Sequence, residues 1–229
     1  MSVTSDISGS SCCNSTVLRP VFRVILGSGS PARLAVLRAA GVTAEVMVSD
    51  VDESVTESVT TQALVCELAR RKGEAVLRLV QQQPTERQTI VLACDTMLEL
   101  GGVPYGKPGN LATALERLAE MRGNSGTLYT GHFVAVITPA DVVTTSVQAA
   151  ATTVHFSDMT DAEIAWYAAT EEPLNVAGSF TIDGLGGPFV TGITGDPHNV
   201  VGLSLPLLRN MLTDLGICWP AVIGDTRTM

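Results

Sequence analysis

Ile90-Val91-Leu92-Ala93-Cys94 is an uncharged, apolar run that leads straight into Asp95-Thr96, and Tyr105-Gly106-Lys107-Pro108 follows shortly after. The run predicts a buried strand that delivers the Asp95 carboxylate to its C-terminal end. In open α/β sheets, ligands bind in the crevice beyond such strand ends. Lys107 sits beside a proline that stiffens its backbone. An aspartate and a lysine so placed can face one charged substrate; equally, Asp95 can cap a turn and Lys107 can be a solvated surface lysine. The rest of the chain has to decide.

Upstream, Val21 to Leu26 predicts a first strand that breaks at Gly27-Ser28-Gly29-Ser30-Pro31. Leu34, Leu37 and Arg38 follow at helical spacing as far as Gly41, with Ser30 as the N-cap and Pro31 at the first helical position. Strand, small-residue turn and helix N-terminus together can hold a phosphate, because free N–H groups and the positive end of the helix dipole meet there; equally, a Gly-Ser turn there can be an ordinary strand–helix reversal. Arg33 in the first helical turn is unfavourable for the dipole unless an anion lies nearby. Ala44 to Val48 reads as a second strand, and the acidic Asp50, Asp52 and Glu53 after it form either a divalent-cation site or a solvated loop. Ser58 to Gln83 predicts a long helix in which Lys72 belongs to the basic run Arg70-Arg71-Lys72, ordinarily an exposed face.

Downstream, Gly101-Gly102 predicts a hairpin, Leu111 to Met121 a helix, and Thr127 to Thr138 and Val142 to Phe156 two long strands. Asp161 to Ala169 reads as a helix. Glu172-Pro173-Leu174 leads into the glycine-rich passage Ala177 to Gly187, Gly195 to Asn199 reads as a loop, and Leu203 to Leu215 as a closing helix. Residues 1–20 read as a flexible tail and 21–229 as a single domain.

Composition narrows the function. Apolar residues make up 45% and charged residues 16%, which suits a well-buried α/β chain. A formal charge of −9 argues against a nucleic-acid polymer as partner, yet leaves room for a small anion held by a few local cations. The five cysteines form no CxxC pair, and a reducing compartment is the simpler reading. Cys94 reads as a buried strand residue rather than a nucleophile, and the three histidines show no metal-ligand spacing. With no membrane-length apolar segment and no secretory signal, the expected setting is soluble and cytoplasmic.

The motifs, taken in order, are Ser28-Gly29-Ser30-Pro31-Ala32-Arg33, Asp50-Val51-Asp52-Glu53, Arg71-Lys72, Ala93-Cys94-Asp95-Thr96, Gly106-Lys107-Pro108, Glu172-Pro173-Leu174 with Ala177-Gly178, and Asn199-Val200-Val201-Gly202-Leu203. In this order and spacing they resemble the Maf family of nucleoside triphosphate pyrophosphatases, named also for inhibition of septum formation, from about Val24 to Gly216. The resemblance implies an extended mixed sheet flanked by helices, with two lobes and a deep cleft. It implies hydrolysis of a nucleoside triphosphate to monophosphate and pyrophosphate, as house-cleaning of non-standard nucleotides, with a divalent cation (Mg²⁺ or Mn²⁺) and a homodimer. By resemblance Asp95 acts as catalytic base or metal ligand, and Lys72 and Lys107 as catalytic phosphate contacts. Ser28, Ser30 and Arg33 then bind substrate, Glu53 helps with the metal, and Asp183 lines the cleft. Two positions depart from the family pattern: Ala32 stands where an arginine is usual, and Asp183 where the branches carry Gln or Glu. A haloacid-dehalogenase phosphatase is set aside, because Met97 occupies the place of its second aspartate. The alternative from another class is a non-catalytic nucleotide-binding regulator of cell division.

Overall fold

The computed structural model describes residues 22–48, 51, 60–83 and 86–223. The expected tail at 1–20 and the acidic residues Asp50, Asp52 and Glu53 lie outside them. Among the described residues the strands are β1 (Phe22–Leu26), β2 (Ala44–Val46), β3 (Gln88–Leu100), β4 (Val103–Tyr105), β5 (Ser125–Ile137), β6 (Val143–Phe156) and β7 (Val190–Thr194). The helices are α1 (Pro31–Ala39), α2 (Thr61–Gln81), α3 (Leu111–Met121), α4 (Asp161–Ala169), α5 (Pro197–Val201), α6 (Leu205–Asp214) and α7 (Trp219–Ile223). Short 3-10 turns at Glu172–Asn175, Ala177–Ser179 and Gly187–Phe189 fill the glycine-rich passage.

The strands make one seven-stranded mixed sheet in the order β2-β1-β3-β5-β6-β7, with β4 on the far end of β3. β1 runs parallel to β2 and β3, whereas β5, β6 and β7 add antiparallel. The expected extended mixed sheet flanked by helices is present.

One expectation needs correction. Asp95 does not end its strand, because β3 continues five residues further to Leu100. The apolar run stops at Cys94, but pairing with β5 carries on through Glu99 opposite Thr127. What ends near Asp95 is the parallel neighbour: β1 reaches only Leu26, opposite Leu92, and Gly27 N–H donates to the Leu92 carbonyl at 2.7 Å. The carboxylate therefore emerges where β1 has turned away into the Gly27–Ser30 loop. The crevice lies beyond the end of β1 rather than of β3.

Alternation along β3 sends its side chains to two faces. Ile90, Leu92 and Cys94 pack with Val36 and Leu37 of α1 and Leu208, Met211 and Leu212 of α6. Val91 and Ala93 face Ala69, Val76 and Val80 of α2 on the other side. Asp95 belongs to this second face by the same period. A third apolar cluster joins α3 and α4 to the distal parts of β3, β5 and β6 through Leu98, Leu118, Leu128, Val154 and Tyr167.

Two glycines set how closely α2 lies on the sheet. A Cβ on Gly131, which pairs with Asp95, would sit 2.1 Å from the Val65 carbonyl oxygen. A Cβ on Gly73 would fall 2.0 Å from the Phe133 ring. Only hydrogens fit at both points, so the helix backbone rests directly on the strands.

Candidate active site

The close seat of α2 brings Lys72, the neighbour of Gly73, onto the Asp95 face. Lys72 Nζ lies 2.6 Å from Asp95 Oδ1, and Asp95 is only 7% exposed. The basic run is thus split by the helix. Arg70 and Arg71 pair with Glu67 on the outer surface, Arg70 also with Glu74, while Lys72 turns inward. Removing a carboxylate from water costs several kcal/mol unless it is paired, and the ammonium beside Asp95 meets that requirement.

The Gly27–Ser30 loop and the start of α1 form the next part. Ser30 caps α1 through its hydroxyl, which accepts from Arg33 N–H at 3.4 Å, with Pro31 at the first position. The Ser28 hydroxyl accepts from Ser30 N–H at 3.2 Å. Arg33, the cation that looked misplaced in sequence, donates to neutral oxygens of the protein. Its Nε donates to the Gly202 carbonyl (2.8 Å), Nη1 to Ser28 Oγ (3.0 Å) and the Cys94 carbonyl (2.9 Å), and Nη2 to Thr96 Oγ1 (2.9 Å). A guanidinium has five N–H donors, so a single Nη2 hydrogen remains to point elsewhere. Arg33 joins α1, β3 and the turn after α5.

That turn carries residues whose role the sequence did not disclose. Asn199 is fully buried and donates to the Leu128 carbonyl at 3.0 Å and Thr152 Oγ1 at 3.1 Å. Gly202 ends α5 at φ 111°, where a side chain would be strained and where a Cβ would come within 3.1 Å of Arg33 Nε. Thr96 and Thr130 hydroxyls lie 3.0 Å apart and complete the seam between β3 and β5. The motif Asn199 to Leu203 was visible in sequence; its function as a buried clasp was not.

His132, opposite Cys94 on β5, is also fully buried. Its Nδ1 faces the Thr130 carbonyl at 3.0 Å and its Nε2 accepts from Ser204 N–H at 2.8 Å, so the ring is neutral with its proton on Nδ1. Burial is the main reason its pKa is held down to about 4. Burial likewise pushes the Cys94 thiol up to about 12, which agrees with its reading as an inert strand residue.

These elements surround one cavity of about 860 Å³. Ser28, Ser30, Arg33, Lys72, Asp95, Lys107 and Asp183 all line it. Every described residue singled out from the sequence therefore reaches the same space; Glu53 lies outside the described residues. Lys107 is exposed and makes no hydrogen bond or ion pair to another described residue, and the same holds for Asp183. Among the described residues no cluster of three or more Asp, Glu, His or Cys side chains exists. Among the described residues the carboxylates lining the cavity are Asp95 and Asp183. Asp95 meets the need of a magnesium-type cation, which takes one or two carboxylates and completes its shell with water and phosphate oxygens.

A helix N-terminus, two lysines and a buried aspartate around a cavity of nucleotide size define a pocket for a phosphorylated small molecule on a mixed α/β sheet. The chain belongs to the Maf family: the model described as Maf-like protein matches residues 23–215. A nucleoside triphosphate pyrophosphatase of Salinispora tropica is 50% identical over 199 residues, covering 86% of this chain and 85% of its own. One of Streptomyces coelicolor is 47% identical over 198 residues, covering 86% and 93%. Among solved structures, a nucleoside-triphosphatase (dITP/XTP pyrophosphatase) from Mycobacterium abscessus overlaps 85% of this chain and 94% of its own. That overlap has 15% identity and a TM-score of 0.36.

Proposed function

We propose that this chain hydrolyses a nucleoside triphosphate at the α-phosphorus, releasing pyrophosphate and the nucleoside monophosphate. The observation that carries this reading is the convergence of Asp95, Lys72 and Lys107 with the α1 N-terminus on one cavity. Cleavage there needs a directed water and neutralisation of the charge that builds on the leaving pyrophosphate. The N-terminus of α1 and the Ser28 and Ser30 hydroxyls hold the phosphate tail. Lys107, whose ammonium is not engaged by any described residue, closes on the leaving group. Lys72 fixes the orientation of Asp95 from 2.6 Å, and Asp95 directs the attacking water and accepts its proton. Arg33 is a positioning residue that keeps the loop, β3 and the α5 turn in register.

A divalent cation held by Asp95, with Glu53 as a further candidate ligand, would supply charge neutralisation and a water whose proton is already loosened. The homodimer rests on the family resemblance and the cytoplasmic setting on the sequence reading alone; no helix among the described residues is long and apolar enough to cross a membrane. The test is pyrophosphate release from a panel of ordinary and modified nucleoside triphosphates with Mg²⁺ or Mn²⁺. Turnover is expected. A non-catalytic regulator would bind nucleotide and release none.

A further inference from the structure

One wall of the cavity is built differently from the rest. Thr181, Ile182 and Asp183 line it, yet they belong to a run with no regular strand or long helix to support them. One carboxylate gathers this run. Glu172 Oε1 accepts from Thr181 Oγ1 at 2.5 Å, Tyr167 Oη at 3.0 Å and Gly186 N–H at 3.1 Å, and its Oε2 accepts from Leu185 N–H at 3.0 Å. Tyr167 Oη in turn accepts from Thr181 N–H at 3.1 Å. Tyr167 is 1% exposed in the α3–α4 core, so the clasp is anchored in a packed part of the protein.

Two glycines of the passage, Gly184 and Gly186, are explained by the same cluster. A Cβ on Gly184 would lie 2.6 Å from Glu172 Oε2, and one on Gly186 would lie 2.5 Å from Tyr167 Oη. Neither glycine has the positive φ that would by itself demand one. They are required because the loop is drawn tightly around the acid. Burial alone would raise the Glu172 pKa, but the hydrogen bonds from Thr181, Leu185, Tyr167 and Gly186 together bring it below the usual carboxylate value, so the acceptor stays ionised. An ionised carboxylate only accepts, which suits four converging donors; a glutamine would place an NH₂ among them.

We propose that Glu172 is a positioning residue for substrate recognition: its carboxylate holds the Thr181–Gly186 run so that Asp183 faces the nucleoside end of the bound triphosphate. The proposal rests on the pyrophosphatase reading and adds to it a division of labour. The phosphate tail is held on the α1–β3 side, and the nucleoside is read on the Glu172-held side.

The experiment compares the full chain with Glu172→Gln, Asp183→Asn, the double variant and Tyr167→Phe, which removes only the anchoring hydroxyl. KM and kcat are measured with the best nucleoside triphosphate, together with Ki for inorganic tripolyphosphate, which has no nucleoside. Glu172→Gln should raise KM about tenfold with kcat within about twofold, and leave the tripolyphosphate Ki unchanged. Tyr167→Phe should raise KM in the same direction by less, and it serves the same purpose if Glu172→Gln does not fold. The double variant should be no worse than the more severe single one, as expected when one residue acts through the other. Amide exchange at Leu185 and Gly186 should accelerate in Glu172→Gln. An unchanged KM, additive effects with Asp183→Asn, or an equal loss for tripolyphosphate would overturn the positioning role alone. A wild-type protein that turns over no nucleoside triphosphate would overturn the pyrophosphatase reading itself.

Discussion

The two sides of the cavity are held by different physics. On the β3 side, Asp95 and Lys72 are placed by backbone packing: α2 touches β5 where Gly131 and Gly73 leave no room for a side chain. On the side of Asp183, the chain follows 3-10 turns, and polar bonds to Glu172 do the holding. Close-packed interiors resist small displacements, which suits the water-directing role proposed for Asp95. A run held by hydrogen bonds can differ in sequence while the sheet stays the same, which suits the nucleoside recognition proposed for it. The departures from the family pattern fall accordingly. Asp183 lies on the adjustable side, and Ala32 in the first turn of α1, whereas Asp95, Lys72 and Lys107 are retained.

Substitutions can break or sharpen this contrast. The largest expected effect is Asp95→Asn, which keeps the shape, removes the charge and should lower kcat by about 10³-fold, within the range for a positioned acid–base group. It should still fold, with a melting temperature lowered by the loss of the Lys72 counter-charge; near-parental turnover would remove Asp95 from the chemistry.

Next comes acid sensitivity on the packed side. The folded protein keeps His132 neutral down to about pH 4, whereas an unfolded chain binds that proton near the ordinary value of 6.5. Between those values the unfolded state carries more protons, so stability falls as pH falls, by about 3 kcal/mol from this residue. Denaturant unfolding at pH 7 and pH 4.5, with the imidazole followed by NMR, checks it. A His132 that titrates near 6.5 in the folded protein would contradict the buried, Ser204-bonded ring.

Gly131→Ala should cost about 2 kcal/mol or more, because the clash is with the backbone of Val65 rather than with a yielding side chain. It should also lower activity by shifting Lys72 away from Asp95, and a thermal melt paired with a rate measurement reports both effects. The smallest of these effects, about 30-fold in kcat/KM or about 2 kcal/mol, is expected for Lys107→Ala, with no change in unfolding since Lys107 supports no described neighbour. Unchanged kinetics would return Lys107 to the solvated surface.

Much of this was readable in the chain. The uncharged run 90–94 identified the central strand, and α3 and α4 fall on Leu111–Met121 and Asp161–Ala169 as their spacing predicts. The strand's end was misplaced because composition marks where apolar burial stops, while pairing with β5 continues through Thr96, Met97 and Glu99. The elements β7, α5 and α7 were missed since each has five residues, too few to display a period, although Asp196, Pro197 and Gly202 carry the cap signals of α5. Of the site, Asp95, Lys72 and Lys107 were legible through their motifs. The fate of Arg33 was not, because its partners Gly202 and Cys94 are backbone carbonyls from distant parts of the chain. Glu172 escaped for a similar reason: a Glu-Pro-Leu turn looks like surface, and only the folded passage shows four donors meeting on it.

The most direct test of the central claim is turnover of a nucleoside triphosphate in ¹⁸O-labelled water, with the products separated and weighed. Attack at the α-phosphorus in this cavity predicts one labelled oxygen in the nucleoside monophosphate and none in the pyrophosphate. Label in the pyrophosphate, or release of orthophosphate in its place, would contradict it.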